Sequence, residues 1–214
     1  MTASDRITII NKRQSSLFAY LKRAWNYRAV TMALAKRDLK VRYSQAVLGV
    51  LWAVIQPLTG LVIFTIFFGQ LLKIQTSGMS YPLFAFSGMV SWFFFSHIVS
   101  QAGASLVESQ ELIRKVYFPK ILLLFAKTIV GLVEFGVSVI LLIVLMQFMG
   151  SFASWSIIFL PLFVLLNIAV GLSVAVWLGA LTIRYRDFHH IIPYLVNFGI
   201  WLTPVFYPVT LIPP

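Results

Sequence analysis

Charged side chains are scarce in the apolar part of this sequence, so the few that occur are the first candidates for chemistry. Glu134 is the only carboxylate within the long apolar blocks, and Lys127 precedes it by seven residues. Seven residues are two helical turns, about 10.5 Å of rise, so the two share a helix face but lie too far apart to bond directly. An unpaired intramembrane charge is costly, so Glu134 is predicted to bond a residue of another helix. A structural polar contact is the favoured interpretation, and a proton relay is the alternative.

The second apolar block is unusually polar, and its polar residues recur at helical spacing. One stripe consists of Ser87, Ser91, Phe94, His97, Gln101 and Ser105, and a separate face of small residues consists of Ser96, Ser100 and Gly103. The stripe suits either a polar pathway or hydrogen bonds inside a helix bundle, and both interpretations stay open. The run of aromatic residues beside it suits stacking on sugars or packing and interfacial anchoring. The candidate pathway residues are Ser91, Trp92, Phe94, His97 and Gln101.

No motif for catalysis, nucleotide binding or metal binding is present in the sequence. There is no glycine-rich phosphate loop ending in Lys-Ser or Lys-Thr, no His/Glu cluster at metal-ligand spacing and no identifiable Ser/His/acid set. Cys is absent, which excludes disulfides, thiolate metal sites and cysteine nucleophiles. We therefore predict no catalytic residue and no metal ligand.

The elements that position these residues are predicted to be membrane-spanning helices. Of the 214 residues, 60% are hydrophobic and 11% are charged, which is too apolar for a soluble domain of this size. Five apolar blocks stand out against the roughly 20 residues that a spanning helix needs; they cover about 46–72, 82–107, 121–149, 155–183 and 191–207. They lack the alternation of barrel strands. The predicted fold class is an all-α integral membrane protein, in which Pro57 and Pro161 each kink a span.

The basic residues predict the orientation of these spans. Ten of the 17 Lys and Arg residues precede residue 46, and 16 of the 17 fall on one set of sides of the five blocks. The bias of Lys and Arg towards cytoplasmic loops places the N-terminus in the cytoplasm. The formal charge of +11 is therefore attributed to membrane topology and anionic lipid rather than to nucleic acid. Residues 1–45 form a cytoplasmic segment and 46–214 the transmembrane domain, with Lys127 extending towards the cytoplasmic surface.

The segment from Leu17 to Asp38 has the pattern of a helix that lies in the membrane interface. Its apolar face consists of Leu17, Leu21, Ala24, Trp25, Met32 and Ala35, and its polar face of Lys22, Asn26 and Arg37. Arg28 interrupts the apolar face. Such a helix lies in the membrane surface or packs on a partner, and the two are compatible.

The connection from Glu108 to Lys120 is predicted to be a short amphipathic cytoplasmic helix. It mixes acidic and basic residues with an aromatic pair, Tyr117 and Phe118, and ends before Pro119, since the residue preceding a proline disfavours helix. Aromatic residues exposed among charges favour docking to a protein, although contact with the membrane surface would give the same pattern.

Four segments together resemble the permease subunits of ABC exporters for O-antigen, capsule and teichoic acid. They are Arg37 to Tyr43 continuing to Gln56-Pro57, Phe86-Ser87-Gly88 followed by Trp92-Phe93-Phe94, Leu112 to Lys120, and Tyr185-Arg186-Asp187-Phe188 with Thr203 to Pro208. Each segment is weak alone, but their order among the spans is specific, and the match runs from about Leu17 onward. Ala46 stands where the family often has Ser or Thr.

The resemblance implies a homodimer of six-span subunits, each bound to a cytoplasmic ATPase. A lipid-linked glycan would pass outward between the two copies, across the bacterial inner membrane. Residues 17–38 would be the interface helix, with Trp25, Arg28 and Arg37. The coupling residues would be Glu108, Glu111, Arg114, Lys115, Tyr117 and Phe118. No cofactor is expected on this chain, because ATP and magnesium would bind the partner. Family members continue into a sixth span, which is missing from these 214 residues.

Two other function classes compete with export. A membrane transferase acting on a polyprenyl-linked sugar would need clustered acids near the membrane surface, and only Glu108, Glu111 and Asp187 are available. A secondary transporter or channel would need more ionisable groups within the membrane. The sequence therefore favours the permease.

Overall fold

The computed structural model describes residue 22 and residues 24–44, 51–74, 76, 79–151 and 155–208. Regular structure in this part of the chain is helical throughout. The helices are α1 (Arg28–Ser44), α2 (Trp52–Leu71), α3 (Tyr81–Glu108), α4 (Gln110–Lys115), α5 (Ile121–Phe148), α6 (Leu160–Arg184) and α7 (Phe188–Leu202). The predicted start of the interface helix, residues 17–21, and of the first span, residues 46–50, lie outside the described residues.

Four helices among the described residues are long and apolar enough to cross a membrane, namely α2, α3, α5 and α6. They correspond to the first four predicted blocks and confirm the all-α membrane fold class. The fifth block differs, because α7 has only 15 residues, about 22 Å of rise against a hydrocarbon core of about 30 Å. It ends at Leu202, and Thr203 is extended (φ −92°, ψ 139°) because it precedes Pro204.

The two prolines predicted to kink spans behave differently. Pro57 lies inside α2, which remains helical around it. Pro161 lies in the first turn of α6, where a backbone N–H would have no partner within the helix. The predicted kink at Pro161 is therefore wrong: the helix begins there, after a short 3₁₀ turn at Trp155–Phe159.

The core forms where α3 packs against α5 and α6. Fully buried side chains on these contacts include Phe86, Ile98, Leu122 and Leu124. Gly103 and Gly179 meet so closely that a Cβ on Gly179 would stand 3.2 Å from the Gly103 carbonyl oxygen. Gly103 thus packs as the predicted small-residue face requires.

Regular α-helical geometry is interrupted within both α2 and α3. The last part of α2, Thr65–Leu71, and a central part of α3, Ile98–Ala102, are π-helical. A π-helical turn holds more residues than an α-helical turn, so side chains beyond it are rotated from the positions that a 100° repeat predicts. The faces of α3 assigned from the sequence are therefore displaced in its C-terminal half.

Helix α1 packs on α5 through a face that only partly overlaps the predicted apolar face, which included both Met32 and Ala35. Its buried residues are Thr31, Leu34 and Ala35, whereas Met32 remains 47% exposed. The helix also continues to Ser44, beyond the predicted end at Asp38. Ion pairs between α1 and α5, described below, fix which side of α1 faces the bundle.

Candidate functional site

A cavity of about 650 Å³ opens where α1, α2, α3, α5 and α7 come together. Polar and apolar side chains both line it. The lining consists of Arg42 and Tyr43 from α1; Trp52, Ala53, Gln56 and Pro57 from α2; Phe93, Ser96, His97, Ser100 and Gln101 from α3; Glu134 and Ser138 from α5; and Pro193 and Asn197 from α7. Three amides, four hydroxyls and three large aromatic rings, counting Tyr43 as both a hydroxyl and a ring, therefore face one space together with charged groups.

Glu134 is the centre of the charged part of the cavity. It lies midway along the 28-residue helix α5, about 20 Å of rise from the start of the helix. Its Oε1 accepts a hydrogen bond from the Tyr43 hydroxyl at 3.0 Å and lies 2.9 Å from Arg42 Nε. Its Oε2 lies 3.2 Å from His97 Nδ1. The predicted polar contact to other helices therefore exists, and it joins α5 to both α1 and α3.

His97 is held through both of its ring nitrogens. Nδ1 contacts Glu134, and Nε2 lies 3.2 Å from the Lys127 carbonyl oxygen. The side chain is only 9% exposed. Gly131 makes room for the ring, because a Cβ at that position would stand 2.6 Å from His97 Cδ2. The imidazole is therefore fixed between two turns of α5.

Tyr43 acts as a neutral hydrogen-bond donor in this cluster. Burial, together with the nearby Glu134 carboxylate, raises the pKa of Tyr43 to about 12. At neutral pH the phenol therefore keeps its proton, and its O–H group donates a hydrogen bond to Glu134.

A second charged cluster lies closer to the N-terminal end of α5. Lys127 Nζ lies 3.2 Å from Asp38 Oδ2 and 3.4 Å from Glu108 Oε2, and Asp38 also pairs with Arg37 at 2.8 Å. The Lys127 ammonium group therefore pairs with two carboxylates, one from α1 and one from α3. Because Asp38 meets Lys127 while Arg42 meets Glu134, α1 and α5 run in the same direction along their contact.

The predicted pathway residues are divided between three environments. His97 and Gln101 line the cavity, as do Ser96 and Ser100, which were assigned to the packing face. Ser91 and Trp92 line a separate hollow of about 480 Å³ beside α6. Phe94 is 3% exposed and packs on Phe135, with ring centroids 4.9 Å apart. Phe94 therefore lies in the core and not on the cavity, where Phe93 takes its place, because the aromatic residues of α3 point in different directions.

The predicted coupling residues differ in how far they are exposed. Glu111, Arg114, Lys115 and Tyr117 are exposed in and after α4, with Tyr117 at 80%. Phe118 is only 9% exposed and belongs to the core cluster. Glu108 is committed to Lys127. Four of the six residues therefore offer an open surface, while the other two hold the connection to the helix bundle.

The predicted interface-helix residues lie on the outside of the bundle. Trp25 is 69% exposed, and the Arg28 guanidinium lies 6.0 Å from the centre of its ring. Arg37 pairs with its neighbour Asp38. The exposed residues of α1 mix apolar side chains such as Val30 and Met32 with basic ones such as Lys36 and Lys40.

Sequence reasoning missed several residues of the cavity, chiefly Arg42, Tyr43, Gln56 and Asn197. One signal was present: an isolated Glu134 requires a partner, and Arg42 and Tyr43 belong to the basic segment nearest the first span. The polar residues of α2 and α7 carry no periodic pattern that distinguishes them from bundle contacts.

Comparison with known proteins gives a consistent result. The profile of the family described as "ABC-2 type transporter" matches residues 29–214. The O-antigen export system permease protein RfbA of Myxococcus xanthus is 28% identical over 192 residues, covering 90% of this chain and 73% of that protein. A Klebsiella pneumoniae protein of the same name is 23% identical over 183 residues, covering 85% and 70%. The polysialic acid transport protein KpsM of Escherichia coli is 22% identical over 183 residues, with the same coverage.

Proposed function

This chain belongs to the ABC-2 type transporter family, and we propose that it is the permease subunit of an ATP-driven exporter of lipid-linked polysaccharide or polyol phosphate polymer. The proposed location is the bacterial inner membrane. Relatives named for O-antigen export and polysialic acid transport support a polysaccharide cargo. The chain is a multi-pass membrane protein and a transport permease rather than an enzyme.

The observation that carries the proposal is the composition of the cavity. A glycan has polar edges and moderately apolar sugar faces, so a conduit for it combines hydrogen-bonding groups with flat aromatic surfaces. The cavity supplies amides from Gln56, Gln101 and Asn197, and rings from Trp52 and Phe93.

The proposed energy source is a separate ATPase subunit, which would bind ATP and magnesium. The exposed surface of α4, with Tyr117 immediately after it, is the proposed docking site. Aromatic and arginine side chains are common anchors at protein interfaces, and Arg114 and Tyr117 are both exposed there. A second copy of this chain is the other proposed partner, completing the pathway for a cargo too wide for one subunit.

Cysteine labelling tests the proposed pathway. The chain has no native Cys, so single cysteines at Ser96, Ser100 and Gln101 would be the only thiols. We expect all three to react with a water-soluble maleimide in membranes, faster when the ATPase hydrolyses ATP. Cysteine at Phe94 should not react, because that side chain is in the core, and neither should cysteine at Ser173, which is exposed on the outer surface of α6.

Labelling at Ser173 equal to that at Gln101 would mean that the reagent reaches lipid-facing positions, and the pathway assignment would lose its support. A further single cysteine replaces Ser91. If only that cysteine reacts with the maleimide, the conduit lies instead in the hollow beside α6. Export is measured in parallel, as surface polymer in cells that carry only the variant gene.

The competing functions have less support from the structure. Of the three acids available to a transferase, Glu108 pairs with Lys127 and Glu111 pairs with Lys115. The contact between His97 and Glu134 does suit a proton-coupled transporter. Collapse of the proton gradient with ATP held constant distinguishes the two: loss of export under this condition would favour proton coupling.

A further inference from the structure

The strongest unassigned feature is the charge on the wall of the cavity. His97 Nε2 faces a carbonyl oxygen, which only accepts hydrogen bonds, so Nε2 carries a hydrogen. His97 Nδ1 faces a carboxylate oxygen of Glu134 at 3.2 Å. Two acceptors at this distance would repel, so one further proton lies between them, either on the imidazole or on the carboxyl group.

The net charge of the cluster does not depend on where that proton sits. With the proton on His97, the charges are +1 on Arg42, +1 on His97 and −1 on Glu134. With the proton on Glu134, only Arg42 is charged. Either way the cluster carries a net charge of +1, and Tyr43, which keeps its proton, adds nothing.

The surrounding helices do not cancel this charge. Among the other residues that line the cavity, α2 contributes Gln56, α3 contributes Gln101 and α7 contributes Asn197, all neutral. The second cluster on α5 balances internally, since Lys127 and Arg37 offset Asp38 and Glu108. A single positive charge therefore remains in an open, partly apolar space within the helix bundle, where opposite charges attract more strongly than they do in water.

We propose that this cavity binds a phosphate-type anion, with Arg42 supplying the net positive charge and Gln101 and Asn197 supplying neutral donors. The proton between His97 and Glu134 keeps that pair neutral, so that Glu134 does not cancel the charge of Arg42. The Arg42 side chain is 42% exposed, and its closest contact with Glu134 is made by Nε at 2.9 Å. A guanidinium exposed to this extent can offer its outer nitrogens to phosphate oxygens, which arginine binds in a forked geometry. The inference rests on the proposed function, in which the anion is the phosphate group of the lipid-linked cargo.

Binding to the full chain in nanodiscs of phosphatidylcholine tests the site without any ATPase. The probes are farnesyl diphosphate, the neutral alcohol farnesol and inorganic diphosphate, each titrated by microscale thermophoresis. We expect farnesyl diphosphate to bind and farnesol to bind at least about tenfold more weakly, since hydrogen bonds to a charged group account for that ratio. Equal binding of the two would overturn the proposal.

Two variants locate the site. Arg42→Gln should raise the Kd for farnesyl diphosphate about tenfold, while Arg42→Lys, which keeps the charge, should recover part of the loss. Glu134 keeps its Tyr43 and His97 contacts in both variants, so the fold is preserved. Lys120→Gln is the matched control: it removes one exposed positive charge from a residue outside the cavity lining and should change the Kd less than twofold. Equal effects of Arg42→Gln and Lys120→Gln on the Kd would mean that general surface charge explains the binding, and the proposed site would be rejected.

The remaining probes identify the source of the anion. Tight binding of inorganic diphosphate would assign the site to a free anion, and competition by added phosphatidylglycerol would assign it to bilayer lipid. Either result overturns the cargo assignment but keeps the anion site. Because the assay needs no transport, loss of anion binding with normal export would reject only this site. Normal binding without export would instead reject the proposed function.

Discussion

At the scale of single residues, Gly131 is the least replaceable position near the cavity. Its missing side chain leaves the space that the His97 ring occupies, and that ring joins two turns of α5 to α3. Gly136 lies on the same helix and has no atom within 4 Å of where its Cβ would stand. The two glycines therefore form a natural pair, differing in surroundings but not in secondary structure.

We expect Gly131→Ala to lower thermal stability, by about 1–3 kcal/mol, because the added methyl group forces the imidazole away from Glu134 and Lys127. Gly136→Ala should be neutral or stabilise by about 0.5–1 kcal/mol, since alanine favours helix and meets nothing. Thermal unfolding of the purified protein in detergent, followed by tryptophan fluorescence, measures both. Equal stability of the two variants would show that the His97 bridge contributes little.

The sequence predicted that Glu134 bonds another helix, but not which residues it bonds. Its partner Tyr43 is 91 positions away, and no local pattern connects the two. Phe94 was misplaced for a different reason: helical spacing groups residues into a face but does not say whether that face meets water, lipid or protein. Only the packing of α3 against α5 settles that Phe94 is buried and Ser96 is not.

At the scale of elements, two adjacent aromatic residues in the connection between α3 and α5 have different surroundings. Tyr117 is 80% exposed, and Phe118 is 9% exposed. The sequence predicted both as docking residues, since adjacent aromatics in a charged segment look alike. Their separation follows from the extended backbone at Val116 (φ −133°, ψ 132°), because successive side chains of an extended chain point to opposite sides.

We expect Tyr117→Ala to reduce co-purification of the ATPase by about fivefold or more, as loss of an interface anchor does, while leaving thermal stability unchanged. Phe118→Ala should do the reverse and lower stability by about 3 kcal/mol, because it empties a core position. Affinity pull-down and thermal unfolding of both variants provide the readouts. If Phe118→Ala releases the ATPase without loss of stability, the assignment of the two rings is inverted.

At the scale of the whole molecule, the fold class and the first four spans were predictable, because long apolar blocks admit only helices in a bilayer. The fifth block was harder to interpret, since apolar composition alone does not reveal where a helix stops. Its end at Leu202 is set by Pro204, and the chain beyond turns back so that Phe206 stacks on Phe64, with ring centroids 3.6 Å apart.

The orientation of the whole molecule rests on the distribution of Lys and Arg, and fusion reporters test it. Alkaline phosphatase, active only outside the cytoplasm, should be active when fused after Thr76 or Ser151 and silent when fused after Gln110 or Arg186. Green fluorescent protein at the same four positions should give the opposite pattern. Activity of the phosphatase at Gln110 would place α4 outside the cell and remove the proposed ATPase contact.

The contacts between α1 and α5 also have a consequence for biosynthesis. Tyr43 leaves the ribosome 91 residues before its partner Glu134, which at about 5–20 residues per second is an interval of roughly 5–18 s. During that interval α1 has no groove to occupy, and Arg42 and Tyr43 have no Glu134 carboxylate to bind. We therefore expect the helix to stay at the membrane surface until α5, the third span, has entered the membrane. Arg42 and Tyr43 can bind Glu134 only after that step.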